Sequence, residues 1–243
     1  MEEFAALLDA LVYTTSRNRK LALIAAYLRA APDPDRGWAL AGLTGGLDFP
    51  AVKSSTIRNL MMERVDPVLW ALSRDFVGDT AETASLLWPA PEDAAPQGDL
   101  ALAEVVERLA ALTRAAAPKE LPLLFDRMDA RGRYALIKLA TGGMRVGVSA
   151  RLAKTAAAMM RPAEAVAPPK AEGGEARAVL EPVDVSAVEE VWHAVDPPYA
   201  DLFAWLEGRA ERPSPDAPGR FRPVMLAVAV DETADLPRLD PAD

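Results

Sequence analysis

The chain has 243 residues, is rich in alanine, leucine, arginine and glutamate, and carries a net charge of −9; this composition favours helices over strands and allows one large domain or two small ones. It has no cysteine and a single histidine, His193, which excludes disulfides, thiolate metal sites, cysteine nucleophiles, histidine-rich metal sites and most catalytic triads. No apolar run is long enough to cross a membrane, and the acidic N-terminal segment lacks the features of a signal peptide, so we expect a cytoplasmic protein.

Helix signals recur throughout the first 88 residues. Apolar residues repeat at helical spacing from Phe4 onwards, and most of these repeats follow a residue that is typical of a helix N-cap. The strongest start signal is Asp66 followed by Pro67, because proline suits the first helical position. The predicted N-caps are Ser16, Asp33 or Asp35, Ser54 or Ser55, Asp66 and Asp79.

The rest of the chain alternates helical segments with proline-rich segments. We interpret residues 89–98 as a linker, 161–183 as a long exposed loop, and the region from Glu211 onwards as an extended segment that contains FRPVMLAVAV. Further helices are predicted near residues 99–114, 119–129, 131–141, 149–160, 186–195 and 198–208. The sequence therefore predicts an all-α fold, with a single multi-helix domain of about twelve helices over residues 1–208 and an extended linker over 209–243.

Two segments, residues 38–61 and 134–157, share one plan. In each, an aromatic-Ala-Leu helix leads to a Thr-Gly-Gly turn, a short apolar link and a basic helix that starts with serine. Two similar helix–loop–helix units indicate pseudo-twofold internal symmetry, although helix pairs in Ala/Leu-rich chains also resemble one another by chance.

The excess of acidic charge is confined to the C-terminal part of the chain. Residues 1–160 contain 19 basic and 19 acidic side chains, whereas residues 161–243 contain 8 basic and 17 acidic ones. Within residues 131–161, seven basic side chains occur without an acidic one. Because the local field decides where a polyanion binds, the net charge does not exclude a nucleic-acid partner.

The segment TGGMRVGVSARLAK, residues 141–154, combines three glycines with cations and a predicted helix start whose N-cap is Ser149. Glycines leave backbone amides accessible to a ligand, and a helix start attracts anions. The segment is therefore a candidate phosphate clamp, although a glycine-rich turn beside a solvated basic face explains it equally well. The candidate DNA-binding residues in and beside it are Lys138, Thr141, Gly142, Gly143, Arg145, Gly147, Ser149, Arg151 and Lys154.

Two other segments offer the same chemistry. One is the first copy of the repeat, and the other is the predicted helix start TTSRNRK, for which an ordinary capped helix is the alternative interpretation. Three such loops would follow the backbones of a duplex without reading its bases. The candidate DNA-binding residues in these two segments are Arg17, Lys20, Gly45, Gly46, Lys53, Ser54 and Arg58.

The order of these segments resembles the N-terminal DNA-binding domain of ATP-dependent DNA ligases, especially the bacterial three-domain type. The similar segments are FAALLDALVYTTSRNRKLALIAAYL, DPDRGWALAGLTGG, GDTAETASLL and YALIKLATGGMRVGVSARLAKTAA. Residues 144–148, Met-Arg-Val-Gly-Val, are similar to the family's Leu/Met-Arg-Ile/Val-Gly-Val/Leu motif. The later segment RFRPVMLA, residues 220–227, resembles the lead-in to the family's adenylation domain, so the resemblance covers nearly the whole chain.

The resemblance implies a helical clamp that holds the minor-groove side of nicked duplex DNA through its phosphates, for nick sealing in repair, replication or recombination. In the family, the lysine of a Lys-x-Asp-Gly motif attacks ATP, and no lysine of this chain is followed by that pattern. We therefore expect a piece of a longer ligase, inactive alone, whose partners are DNA and the adenylation and OB-fold domains of the same protein. No cofactor is expected in this chain; ATP and Mg²⁺ are expected for the full-length ligase.

Two other interpretations stay open at this point. A helical scaffold that binds another protein would have an exposed apolar groove and scattered cations. A helix-turn-helix regulator would need a recognition helix rich in arginine, asparagine and glutamine, and SARLAKTAAAMM is too rich in alanine for that role.

Overall fold

The computed structural model describes residues 1–89, 100–161 and 180–214. These residues form twelve α-helices and one 3-10 turn, Trp192–Ala194, and contain no strand, which confirms the all-α prediction. No helix among them has the length and apolarity that a membrane span requires. The helices are α1 Glu2–Val12, α2 Arg17–Ala30, α3 Asp35–Thr44, α4 Ser54–Arg64, α5 Pro67–Val77, α6 Thr80–Leu87, α7 Leu102–Ala111, α8 Ala117–Asp126, α9 Ala130–Ala140, α10 Ala150–Ala158, α11 Val185–Val191 and α12 Ala200–Leu206.

Helix α9 lies at the centre of the packing, between α1 and α6. Its apolar residues Ala135, Leu136, Leu139 and Ala140 are buried. Helix α2 packs against α1 and α10, and α10 in turn contacts α3 and α11. Four of the five buried residues of α10 are alanines, and such small side chains allow the close approach of helices that the contact between α2 and α10 requires. This contact places the start of α2 beside the loop that precedes α10.

Most of the predicted N-caps are confirmed. Ser16 accepts a hydrogen bond from the amide of Arg19, Asp66 and Asp79 each accept two from the first turns of α5 and α6, and Ser149 accepts one from Leu152. Each of these hydrogen bonds satisfies an amide that has no partner within its own helix.

Two predicted caps are wrong. At α4 the N-cap is Lys53, and Ser54 is already the first helical residue; the Thr56 hydroxyl accepts a hydrogen bond from the Lys53 amide at 3.4 Å. At α3 the N-cap is Pro34, and the Asp35 carboxylate instead accepts hydrogen bonds from the first amides of α7, Leu102 and Ala103, both at 2.9 Å. Asp35 therefore caps a helix from a distant part of the chain.

The two Thr-Gly-Gly turns, residues 44–46 and 141–143, have the same hydrogen bonds. In each turn the threonine hydroxyl donates to the carbonyl four residues earlier at 2.7 Å. The first glycine is left-handed, with φ of 76° and 68°. The second glycine donates its amide to the carbonyl five residues earlier, at 2.8 and 2.9 Å, as in a Schellman motif. The repeat is therefore structural at these turns, and the twofold relation of the whole units stays a prediction.

Parts of three predicted segments lie outside the described residues. These parts are residues 90–98 of the predicted linker, 162–179 of the predicted loop, and 215–243 of the C-terminal segment, which includes FRPVMLAVAV. The predicted domain boundary after residue 208 therefore stays a prediction.

Candidate nucleic-acid interface

Three shallow clefts surround the loop between α9 and α10, and they bring the three predicted basic segments together. The α2–α10 cleft joins the start of α2 to the loop and is lined by Thr15, Arg17, Lys20, Met144, Arg145, Gly147, Val148, Ser149 and Leu152. The turn cleft joins the two Thr-Gly-Gly turns, with Gly45 on one side and Gly142 and Arg145 on the other. The α4–α9 cleft joins Ser54 of α4 to Lys138, Thr141 and Gly143. The predicted DNA-binding residues do not include Thr15, Met144, Val148 or Leu152, which line the first cleft without carrying charge.

The α2–α10 cleft contains two helix starts and two exposed guanidinium groups. Arg17 and Arg145 are exposed, and neither has a carboxylate partner among the described residues. Within the same residues, no hydrogen bond engages the amides of Gly147 and Val148, which precede the cap of α10. Free amides, helix dipoles and unpaired cations are the groups that hold a phosphate.

The amides of both Thr-Gly-Gly turns, by contrast, are already hydrogen-bonded. Gly45 and Gly142 donate to carbonyls three residues earlier, and Gly46 and Gly143 to carbonyls five residues earlier. The expectation that these glycines expose free amides is therefore wrong, because the turns use the amides to end α3 and α9. The free amide among the predicted glycines belongs to Gly147, and contacts of the others with DNA stay predictions.

Two predicted DNA ligands, Lys20 and Lys138, are buried. Lys20 Nζ donates to the carbonyl oxygens of Val146 at 2.8 Å and Gly147 at 3.0 Å. Lys138 forms an ion pair with Asp79, the N-cap of α6. Both ammonium groups thus have internal partners that belong to distant segments of the chain. These partners cannot be predicted from the local sequence around Lys20 and Lys138.

Arg151 and Lys154 face α11 and the 3-10 turn that follows it, rather than the clefts. The Arg151 guanidinium lies 3.2 Å from the Glu189 carboxylate, and the Lys154 ammonium lies over the Trp192 ring, 4.2 Å from its centroid. Burial lowers the pKa of Lys154, and the negative charge of Glu189 opposes that shift. The predicted clamp of Arg145, Arg151 and Lys154 is therefore divided between two surfaces.

The acid-free window of residues 131–161 does not form one basic surface. Arg133 and Arg161 are buried and donate to backbone carbonyls, and Arg131 lies 3.5 Å from Asp129. The fold brings acidic side chains from outside the window to its other cations. Within the described part of the chain, Arg145 is the one exposed cation of the window without a carboxylate partner.

The α4 side of the interface keeps its cations exposed. Lys53, Ser54 and Arg58 all lie at the surface, and no described carboxylate pairs with Lys53 or Arg58. Arg19 is likewise exposed on the first turn of α2. The exposed positive charge of the interface therefore comes from the starts of α2 and α4 and from the loop before α10.

Fold and surface together define an all-helical domain in which Arg17, Lys53, Arg58 and Arg145 are exposed near the starts of α2 and α4 and in the loop before α10. The family model described as DNA ligase N terminus matches residues 1–158, which is more than half of the chain and contains all three clefts. The chain therefore belongs to the DNA ligase N-terminal family, the N-terminal domain of ATP-dependent DNA ligases. No curated protein matches the chain.

Proposed function

We propose that this chain is the DNA-binding part of an ATP-dependent DNA ligase and that it holds nicked duplex DNA through the phosphate backbone. Sealing of the nick, in repair, replication or recombination, is then the work of adenylation and OB-fold domains of the same protein. ATP and Mg²⁺ belong to those domains, and the chain contributes affinity and placement of the duplex.

The position of Arg145 carries this proposal. Its side chain is exposed and lines both the α2–α10 cleft and the turn cleft. One guanidinium thus stands between the start of α2, with Arg17, and the turn that ends α3, with Gly45. A planar guanidinium can donate two parallel hydrogen bonds to one phosphate, which suits a contact at the junction of two backbone-following surfaces.

The chemistry of these groups favours binding that is independent of sequence. Guanidinium groups, ammonium groups and backbone amides all contact phosphate oxygens, which every nucleotide presents alike. The interface shows no helix start rich in asparagine and glutamine of the kind that reads base edges. Affinity is therefore expected to depend strongly on salt and weakly on the base sequence.

Fluorescence anisotropy with a labelled nicked duplex, titrated over a series of salt concentrations, tests the proposal. Each phosphate contact contributes a slope of about −0.9 to log K against log salt. Arg145→Ala should weaken binding and make the slope shallower by about 0.9 for every duplex sequence. Arg114→Ala is the matched control, since Arg114 is also exposed but lies between α7 and α8 and lines none of the three clefts.

The proposal fails if the wild-type chain does not bind duplex DNA at low salt. It also fails if Arg145→Ala and Arg114→Ala have the same small effect, because the surface around the α9–α10 loop would then not be the interface. Equal binding of several unrelated duplex sequences supports it.

A second candidate function, a scaffold that binds another protein, is favoured by helix α5. Val68, Leu69, Leu72 and Phe76 lie on one face of this helix and are exposed, Phe76 by 92%. The dispersal of the cations of residues 131–161 fits this function as well. Two observations together would favour the scaffold. The chain would bind no DNA or bind it independently of salt, and an α5 variant such as Phe76→Ser would be more soluble than the wild type.

A further inference from the structure

The loop before α10 is held from inside by a residue of α2. Lys20 is 7% exposed, and its ammonium group donates to the carbonyls of Val146 and Gly147, which lie 126 and 127 residues away in the sequence. No described carboxylate pairs with it. Burial of a charge is costly, and an apolar side chain would fill the same space at lower cost. Lys20 therefore serves the geometry of the loop rather than the stability of the core alone.

The two hydrogen bonds of Lys20 decide where the loop amides point. In a planar trans peptide, the carbonyl of one residue and the amide of the next point in opposite directions. The carbonyls of Val146 and Gly147 face Lys20, so the amides of Gly147 and Val148 point away from it. Neither of these two amides has a hydrogen-bond partner among the described residues.

Gly147 fits this arrangement in two ways. Its φ of 66° is left-handed, a conformation that favours glycine. A Cβ at this position would also collide with the Lys20 ammonium. The position of the Lys20 ammonium therefore requires glycine at residue 147, although Lys20 belongs to the first turn of α2 and Gly147 to the loop before α10.

We propose that Lys20 is a positioning residue for DNA binding: it turns two carbonyls of the α9–α10 loop inward and thereby directs the amides of Gly147 and Val148 towards a backbone phosphate. Without the ammonium group, these peptides are free to rotate and present carbonyl oxygens, which repel phosphate. The proposal rests on the proposed function, but it assigns Lys20 no contact with DNA.

The test uses Gly147→Ala and Lys20→Met in the full chain, with the nicked-duplex anisotropy assay. Gly147→Ala keeps every charge but displaces the ammonium, so we expect about tenfold weaker binding, close to the loss of one charge-assisted hydrogen bond, with an unchanged salt slope. Lys20→Met should weaken binding to a similar extent. Gly78→Ala is the matched control: Gly78 has a φ of 77° and nothing near its Cβ, and it ends α5 outside the three clefts. It should bind DNA as the wild type does.

A readout without DNA separates positioning from contact. In ¹⁵N-edited spectra of the free protein, Lys20→Met should shift the amide signals of Gly147 and Val148 while leaving most signals of α2 unchanged. Urea unfolding of each variant gives the fraction of protein that is folded in the binding assay. Unchanged amide signals, or wild-type affinity in Gly147→Ala, would overturn the proposal. A slope that becomes shallower by about 0.9 in Lys20→Met but not in Gly147→Ala would instead make Lys20 a phosphate contact.

The two proposals fail in different ways. If Arg145→Ala changes the salt slope as expected and Gly147→Ala binds as the wild type does, only the role of Lys20 is wrong. If the wild-type chain does not bind DNA, both the proposed function and the role of Lys20 are wrong.

Discussion

Gly37 of α3 lies directly against the backbone carbonyl of Pro198, so that a Cβ on Gly37 would overlap the carbonyl oxygen. The neighbouring Arg36 is buried, pairs with Asp33 and Glu207, and lies 4.5 Å from the Phe203 ring centroid. The segment around α12 thus packs tightly on the start of α3. The family match ends at residue 158, yet α11 and α12 contribute to the same hydrophobic core as α1 to α10. The described residues beyond the match are therefore part of one packed unit.

Gly37→Ala should be strongly destabilising. The new methyl group meets backbone atoms of Pro198, which cannot move aside as a flexible side chain can. We expect the free energy of unfolding to fall by about 3 kcal/mol, at the upper end for overpacking, as measured by urea denaturation.

Gly143→Ala is the matched control for Gly37→Ala. Gly143 is not left-handed, and a Cβ there would meet its nearest neighbour, the Thr141 hydroxyl, at 3.4 Å. Its stability should stay within about 0.5 kcal/mol of the wild type. Equal effects of the two substitutions would mean that the α3–Pro198 contact is not tight in solution.

Asp35→Ala should destabilise the protein through α7 rather than through its own helix. The Asp35 carboxylate accepts hydrogen bonds from the amides of Leu102 and Ala103, so its loss leaves the first turn of α7 uncapped. Loss of such a cap costs about 1 to 2 kcal/mol, measurable by urea denaturation. Asp35→Asn keeps one acceptor oxygen and should therefore retain part of the stabilisation that the cap provides. An unchanged stability in Asp35→Ala would contradict the cap.

The sequence predicts features whose causes are local. Helix spans follow from apolar spacing, and the caps Ser16, Asp66, Asp79 and Ser149 lie within three residues of the amides that they satisfy. Asp35 has the residue type of a cap and does act as one. Its helix, however, lies 67 residues along the chain, and nothing in the local pattern identifies that partner.

The candidate site shows the same limit for charge. Counting cations in a window treats every lysine and arginine as exposed, whereas the fold supplies Arg161 with the carbonyl of Leu206 and Arg151 with Glu189. The clustering of the basic turns could be predicted from their repeated pattern. Which cations remain free could not, because that depends on carboxylates and carbonyls brought from distant segments.

The ion pair of Asp79 and Lys138 should make stability depend on pH in acid. Burial disfavours the charged form of Asp79, but hydrogen bonds from Lys138 and from the amides of Glu82 and Ala81 outweigh it and hold the pKa of the carboxyl below its ordinary value. A lowered folded-state pKa contributes stability that is complete above the unfolded-state pKa of about 3.9. That contribution is lost as the pH falls through the folded-state value.

Asp79→Asn tests this prediction by urea denaturation between about pH 3 and pH 7. Asparagine still caps α6 but leaves the buried Lys138 without its carboxylate, so the variant should be less stable near neutral pH. The difference from the wild type should shrink as the pH falls below 4. Asp48→Asn is the control, since Asp48 is exposed and has no ion pair among the described residues; parallel pH profiles for wild type and Asp79→Asn would contradict the ion pair.

Glu189→Gln should strengthen the binding of duplex DNA. Glu189 pairs with Arg151 at 3.2 Å and lies close enough to Lys154 to influence its pKa, so it competes with phosphate for both cations of α10. An exposed pair of this kind contributes little, and its removal should tighten binding by about threefold at low salt. Glu190→Gln removes the same charge from the next residue, which instead pairs with Arg212. Anisotropy titrations that show equal gains in affinity for the two variants would attribute the effect to net charge. A gain confined to Glu189→Gln would show that Glu189 of α11 keeps Arg151 and Lys154 of α10 from binding DNA phosphates.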